Sequence, residues 1–229
     1  MGGCTNCKAK TGCDDRKGSM LADVQHALDH LYPSRTWGEP DDAAGLGEPM
    51  TPEELTALAD ELASELQAAT FVRPGDDDEP CDYLYVLCMG RAPCAIQVRD
   101  EDVPAPAEWR DLARVDELYL RVVISHRARI AAVQQVAISV EPSAAGGFAV
   151  REAPRAGVYD APLLPRMQKL VAILPAYDLL HVDFGEIAHP PEGFHAGSWP
   201  QLYQAPAPAI ANYLFYPQPT TMVATSLIA

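Results

Sequence analysis

Three observations predict an α+β fold, with two N-terminal helices packed on a largely antiparallel sheet and a Cys-rich tail in front. Helical apolar periodicity occurs twice near the N-terminus. From Tyr83 onward strand patterns dominate, without the regular strand–helix alternation of a parallel α/β sheet. No internal repeat is present. The 229 residues are divided into a tail over 1–18 and a single domain over 19–229, with an acidic turn at 73–80 as the candidate sub-boundary.

The first helix starts at Ser19, which can cap it. Leu21, Val24, Leu28, Leu31 and Tyr32 fall near one face, and Pro33 ends it. Residues 33–50 form a Pro/Gly/Asp-rich loop. The second helix has the clearest start in the chain. Thr51 caps it, Pro52 occupies the first position and Glu54 completes a capping box. Leu55, Leu58, Leu62, Leu66 and Ala69 form its apolar stripe.

Tyr83–Cys88 and Cys94–Val98 read as one hairpin, and Glu117–Ser125 with Ile130–Val140 as a longer one. In the first hairpin, Cys88 and Cys94 would lie nearly opposite each other. Phe148–Arg151 reads as a short strand, and Leu163–Leu174 as a helix bracketed by prolines. Leu179–Ile187 reads as a buried strand, 189–209 as a Pro/Gly/His loop, and Ile210–Tyr216 and Met222–Ile228 as two last strands.

Apolar residues make up 48% of the chain, which is enough for a packed core and argues against global disorder. The net charge of −15 opposes nucleic-acid binding, because an acidic surface repels phosphate. Charge is unevenly distributed. Residues 1–18 carry four basic residues against two acidic ones, a net +2, which leaves −17 for the rest. A basic tail on an acidic body can dock on that body or on an acidic protein partner.

The first residues contain no apolar stretch of signal-peptide length, and no run reaches the ~20 apolar residues of a membrane span. The expectation is therefore a cytoplasmic protein with reduced thiols and no membrane span. Met1-Gly2 with Cys4 is also similar to an acylated N-terminus, but Asn6 stands where that pattern prefers Ser or Thr.

The candidate site is Cys4-x2-Cys7-x5-Cys13. Three cysteines lie within ten residues that have no apolar period, so burial does not account for them. The two-residue gap lets two thiolates reach one metal. Lys8, Lys10, Arg16 and Lys17 would favour the thiolates. An iron–sulfur cluster is the first expectation and zinc the alternative, both usually four-coordinate. The tail supplies three ligands. The fourth is expected from Cys81 or Cys94, from His26 or His30 on the first helix, from solvent or from a partner. Reactive thiols, or a tail whose cysteines have no joint role, are the remaining readings.

A separate constellation is His181-Val182-Asp183 with His189 and His195. In a strand, period two puts His181 and Asp183 on one face, as a mononuclear non-haem iron site requires. No Lys or Arg follows Lys169 to hold a co-substrate carboxylate, which weakens that enzyme reading. No dinucleotide fingerprint, phosphate loop or nucleophile elbow occurs. Sequence alone thus favours a metal-binding accessory or electron-transfer subunit over an enzyme, with a zinc-stapled interaction module as the alternative. Loop aromatics such as Trp37, Trp109 and Trp199 read as core-folding residues or as part of a partner surface.

Overall fold

The computed structural model describes residues 22–38, 48–75, 81–100, 103–111, 114–143, 147–155, 157–158, 160–200, 207–215 and 225–228. The fold is α+β. A seven-stranded sheet runs β1-β2-β3-β4-β5-β7, with β6 paired to β4 off this path. The strands are β1 (Thr70–Arg73), β2 (Cys81–Met89), β3 (Val115–Ser125), β4 (Ile130–Pro142), β5 (Phe148–Pro154), β6 (Leu180–Val182) and β7 (Thr225–Ile228). Every pairing is antiparallel except β4 with β6. The helices are α1 (residues 22–31), α2 (Pro52–Leu66), α3 (Ala95–Asp100), α4 (Leu164–Ile173) and α5 (Ile210–Leu214). Among the described residues, no helix is long and apolar enough to cross a membrane.

β4 is long because it serves two partners on one edge. Its first residues pair with β6 (Ile130↔Leu180) and its later ones with β5 (Val140↔Val150), while β3 follows its other edge. β3 and β4 are buried along almost their whole length. Such strands need cover on both faces.

One face carries Leu84, Val86, Leu120, Val122, Ile124 and Val133. α2 and α4 lie over it, contributing Leu55, Leu58, Leu62, Leu66 and Leu170. The other face carries Tyr83, Tyr85, Tyr119, Val123, Val136 and Ile138, and packs with α1, α3 and α5. On this aromatic face polar contacts tie α5 to the residue that follows α1 and to the end of β3. The Tyr32 hydroxyl donates to the Tyr213 carbonyl at 3.1 Å and Ser125 Oγ to the Leu214 carbonyl at 2.7 Å. The Tyr32 and Tyr213 rings meet edge-on at 4.9 Å.

Four elements differ from the sequence reading. Residues 94–98 are not the second arm of a hairpin. Cys94 precedes α3, and the carboxylate of Glu117, on β3, accepts from the Ala95 amide at 2.8 Å. The cap of this helix lies 22 residues away in sequence, so no local signal announces it. β2 pairs instead with β1 and β3. Cys88 and Cys94 therefore do not face each other: Cys88 belongs to the leucine-rich face and Cys94 to the aromatic face.

Residues 210–214 are helical rather than extended, and Asn212 Oδ1 accepts from the Ala209 amide at 2.8 Å. All five residues of α5 are buried, so the apolar run has no helical period to read. The strand read over 179–187 stops at Val182. Asp183 turns the chain, its side chain accepting from the Gly185 amide at 2.7 Å. β1 is the fourth difference. It follows α2 almost directly, because Gln67 adopts a left-handed conformation (φ 49°) that ends the helix. All its residues are half-buried, which leaves no alternation to detect.

The capping box of α2 is present as the sequence predicts. The Thr51 amide donates to Glu54 Oε2 at 2.8 Å, and the Glu54 amide donates to Thr51 Oγ1 at 3.1 Å. Thr51→Ala should cost about 1 kcal/mol in urea unfolding. Arg121, 2% exposed on the aromatic face, binds Gln134 Oε1 through Nε and Nη2 at 3.1 and 2.6 Å. Its Nη1 lies 3.2 Å from Glu152, and the guanidinium stands 5.1 and 5.8 Å from the Tyr83 and Tyr85 ring centres. Replacing it by Met should cost on the order of 3 kcal/mol in the same measurement, because the buried Gln134 and Glu152 oxygens each lose a charged donor.

Candidate functional site

The end of the sheet where β2 finishes and β3 begins gathers two kinds of chemistry, one on each face. The pairing of β2 with β3 slips here: Leu87 opposes Tyr119 and Met89 opposes Leu118, leaving Cys88 as the bulged residue. A bulge bends the strand and frees its backbone from the ladder. The freed Cys88 carbonyl accepts from Arg166 Nη1 of α4 at 3.4 Å.

On the leucine-rich face this bend opens a cleft of ≈ 520 Å³. Cys88, Met89 and Leu118 line its strand side, and Asp160, Leu163 and Arg166 line the opposite wall. That wall is anchored from beneath. Gln135, buried on β4, donates through Nε2 to Asp160 Oδ2 and accepts from the Asp160 amide at 3.2 Å. Sequence reading missed this site. Arg166 and Asp160 are ordinary polar residues near a proline-rich helix start, and only the tertiary fold sets them beside Cys88.

On the aromatic face, directly behind Leu118, lie Glu117, Tyr119 and Cys94. Glu117 is 2% exposed. Its Oε2 accepts from the Tyr119 hydroxyl at 2.6 Å and from the Ala95 amide. Among the described residues, its Oε1 has no hydrogen-bond partner. Burial pushes the Glu117 carboxyl above its usual range, opposed by the donors around it. Burial also raises the Cys94 thiol and the Tyr119 hydroxyl, and the neighbouring Glu117 charge adds to both shifts. Cys94 is thus a buried, protonated thiol held against Tyr119.

The other site residues read from sequence are dispersed. Cys4, Cys7 and Cys13 lie outside the described residues. Cys81 is fully buried at the start of β2, opposite Ser125, whereas Cys94 lies beside Glu117 at the other end of β3. The eight-residue separation along the strand corresponds to roughly 26 Å, so Cys81 and Cys94 do not converge on one ion. Among the described residues, Cys81, Cys88 and Cys94 form no disulfide with one another. His26 and His30 are exposed on α1.

His181 is half-buried on β6, and burial holds its imidazole below the usual value. Asp183 is exposed and occupied by the Gly185 amide. His189 is exposed, with Nδ1 3.0 Å from the Pro190 carbonyl. The side chain of His195 is exposed, while its backbone exchanges hydrogen bonds with Arg35 and Trp37. Among the described residues, no group of three or more His, Cys, Asp or Glu side chains is arranged to hold a metal. His181, Asp183, His189 and His195 are therefore not gathered into one site.

The buried carboxyl generates a pH prediction. With its folded-state value raised, Glu117 holds its proton more tightly in the folded protein than in the unfolded chain. Its contribution is present below the ordinary carboxylate range and is lost as pH rises through the raised value. Glu117→Gln cannot ionise. In urea unfolding across pH, its stability relative to the parent protein should improve as pH rises from below the carboxylate range toward neutrality. A difference that stays constant with pH would contradict the assignment. Comparison with protein-family models, curated proteins and solved structures found no match for this chain.

Proposed function

We propose that this chain is a metal-binding accessory or electron-transfer subunit, in which the N-terminal tail holds an iron–sulfur cluster and the folded body serves as an acidic docking platform. The observation that carries this reading is the spacing Cys4-x2-Cys7-x5-Cys13 within a basic, core-free segment of an otherwise acidic chain. Thiolates held close together need a cation or protons to offset their charge. Lys8, Lys10, Arg16 and Lys17 supply part of that compensation, and a bound metal would supply the rest.

Within the body, Cys81 and Cys94 are alternatives for a fourth ligand, not joint ligands. Using either would require its buried thiol to be uncovered and deprotonated. A fourth ligand from solvent or from a partner protein avoids that cost. It also ties cluster binding to the docking event. Zinc remains the alternative metal, in which case the tail is a structural staple for an interaction module.

Anaerobic purification with metal and sulfide analysis tests the reading. The expected outcome is a coloured protein with broad visible absorbance and bound iron and acid-labile sulfide, both lost in Cys4→Ser or Cys7→Ser. Colourless protein with stoichiometric zinc would move the assignment to the structural staple. Metal-free protein after anaerobic reconstitution with iron and sulfide, or with zinc, would remove both. Iron retained in Cys4→Ser but lost in His181→Ala would point to a histidine site instead.

A further inference from the structure

The cleft beside the β2 bulge has a chemical character independent of the tail. Its volume of ≈ 520 Å³ lies within the roughly 300–1,000 Å³ typical of small-molecule sites. Its apolar lining comes from Leu118, Leu163, Met89 and Pro162. Met89, which lines the cleft, is 61% exposed, the most exposed large apolar side chain among the described residues. Exposed apolar surface gathered at a concave site marks a place where something binds.

The polar groups of the cleft set the sign of the ligand. Arg166 is half-buried, and among the described residues its guanidinium donates to the Cys88 carbonyl at 3.4 Å and to no other group. No described carboxylate pairs with it. It also stands in the first turn of α4, which has no acidic residue there. The helix dipole therefore adds to its positive potential instead of offsetting it. Asp160, the acidic lining residue, is already engaged by Gln135 and lies 3.7 Å from Arg155. The cleft thus presents an apolar trough ending at a cation with unused donors.

We propose that this cleft binds a small carboxylate with an apolar body, the carboxylate on the Arg166 guanidinium and the body along Leu118 and Leu163. A guanidinium fork matches a carboxylate in a bidentate pair, and enclosure by apolar side chains strengthens that pair over one in open water. The half-exposed Cys88 thiol lines the same cleft, where an occupant would cover it.

Decanoate and decanol are suitable probes on the full chain, measured by displacement of anilinonaphthalene sulfonate fluorescence and by calorimetry. Decanoate should bind saturably, at least tenfold more tightly than decanol. Arg166→Gln should remove at least tenfold of the decanoate affinity and leave decanol unchanged. Met89→Glu, at an exposed position where folding is not at stake, should also weaken decanoate by placing a like charge at the mouth. Arg151→Gln, at an exposed residue of β5, is the control and should change nothing. Saturating decanoate should slow iodoacetamide alkylation of Cys88 several-fold, read on the Cys88 peptide by mass spectrometry. The proposal is overturned if decanoate does not saturate or binds no better than decanol. It is equally overturned if neither Arg166→Gln nor Met89→Glu weakens decanoate, or if Cys88 reacts equally fast at saturation. None of these outcomes depends on whether the tail holds a metal.

Discussion

Burial of β3 and β4 on both faces is the constraint from which the rest of the architecture follows. Strands such as Val115–Ser125 and Ile130–Pro142 have side chains hidden in both directions, so the sheet cannot leave one face to water. The helices must divide. α2 and α4 take the leucine-rich face, and α1, α3 and α5 take the aromatic one. Apart from α2 each helix has ten residues or fewer, and most of its stability comes from this packing rather than from its own propensity. The five residues of α5 illustrate the point, since they are all buried and are held through contacts to Tyr32 and Ser125.

Complete burial also forces polar groups into the interior, and two of them organise the aromatic face. Arg121 is made tolerable by Gln134 and the rings of Tyr83 and Tyr85, from the two strands that flank its own, and by Glu152 on β5, one strand further along the sheet. Glu117 couples the sheet to α3 by capping it and by accepting from Tyr119. Such buried polar contacts specify arrangement more than they add stability, since a misplaced neighbour would leave an unpaired group behind.

The leucine-rich face is closed differently. Where the β2–β3 pairing slips at Cys88, the ladder gives up a residue and the covering segment at Asp160–Arg166 stands off from the strand. The same slip that ends β2 therefore opens the cleft. Cys88 on one side of the sheet and Cys94 on the other, six positions apart in sequence, then live in unlike surroundings. One is half-exposed beside a guanidinium; the other is buried against a tyrosine and a carboxyl. Equal residue type and close spacing did not make them a pair.

The sequence by itself determined the elements whose signals are local. Thr51 and Glu54 announced α2 because a capping box is closed within four residues. The strand-forming runs Glu117–Ser125 and Ile130–Val140 announced the central hairpin, and the apolar stripes of α1, α2 and α4 announced those helices. It also determined the cysteine spacing of the tail, on which the metal reading rests. Tertiary structure alone decided what depends on distant partners. α3 is a helix because a carboxylate 22 residues later caps it, and α5 is one although its fully buried run has no period. The cleft exists because a strand bulge and the start of α4, nearly 80 residues apart in sequence, meet at the Cys88 carbonyl and Arg166. Local pattern records what a residue's neighbours in sequence require. Where a cap, a cavity wall or a countercharge comes from across the fold, only the folded chain can supply it.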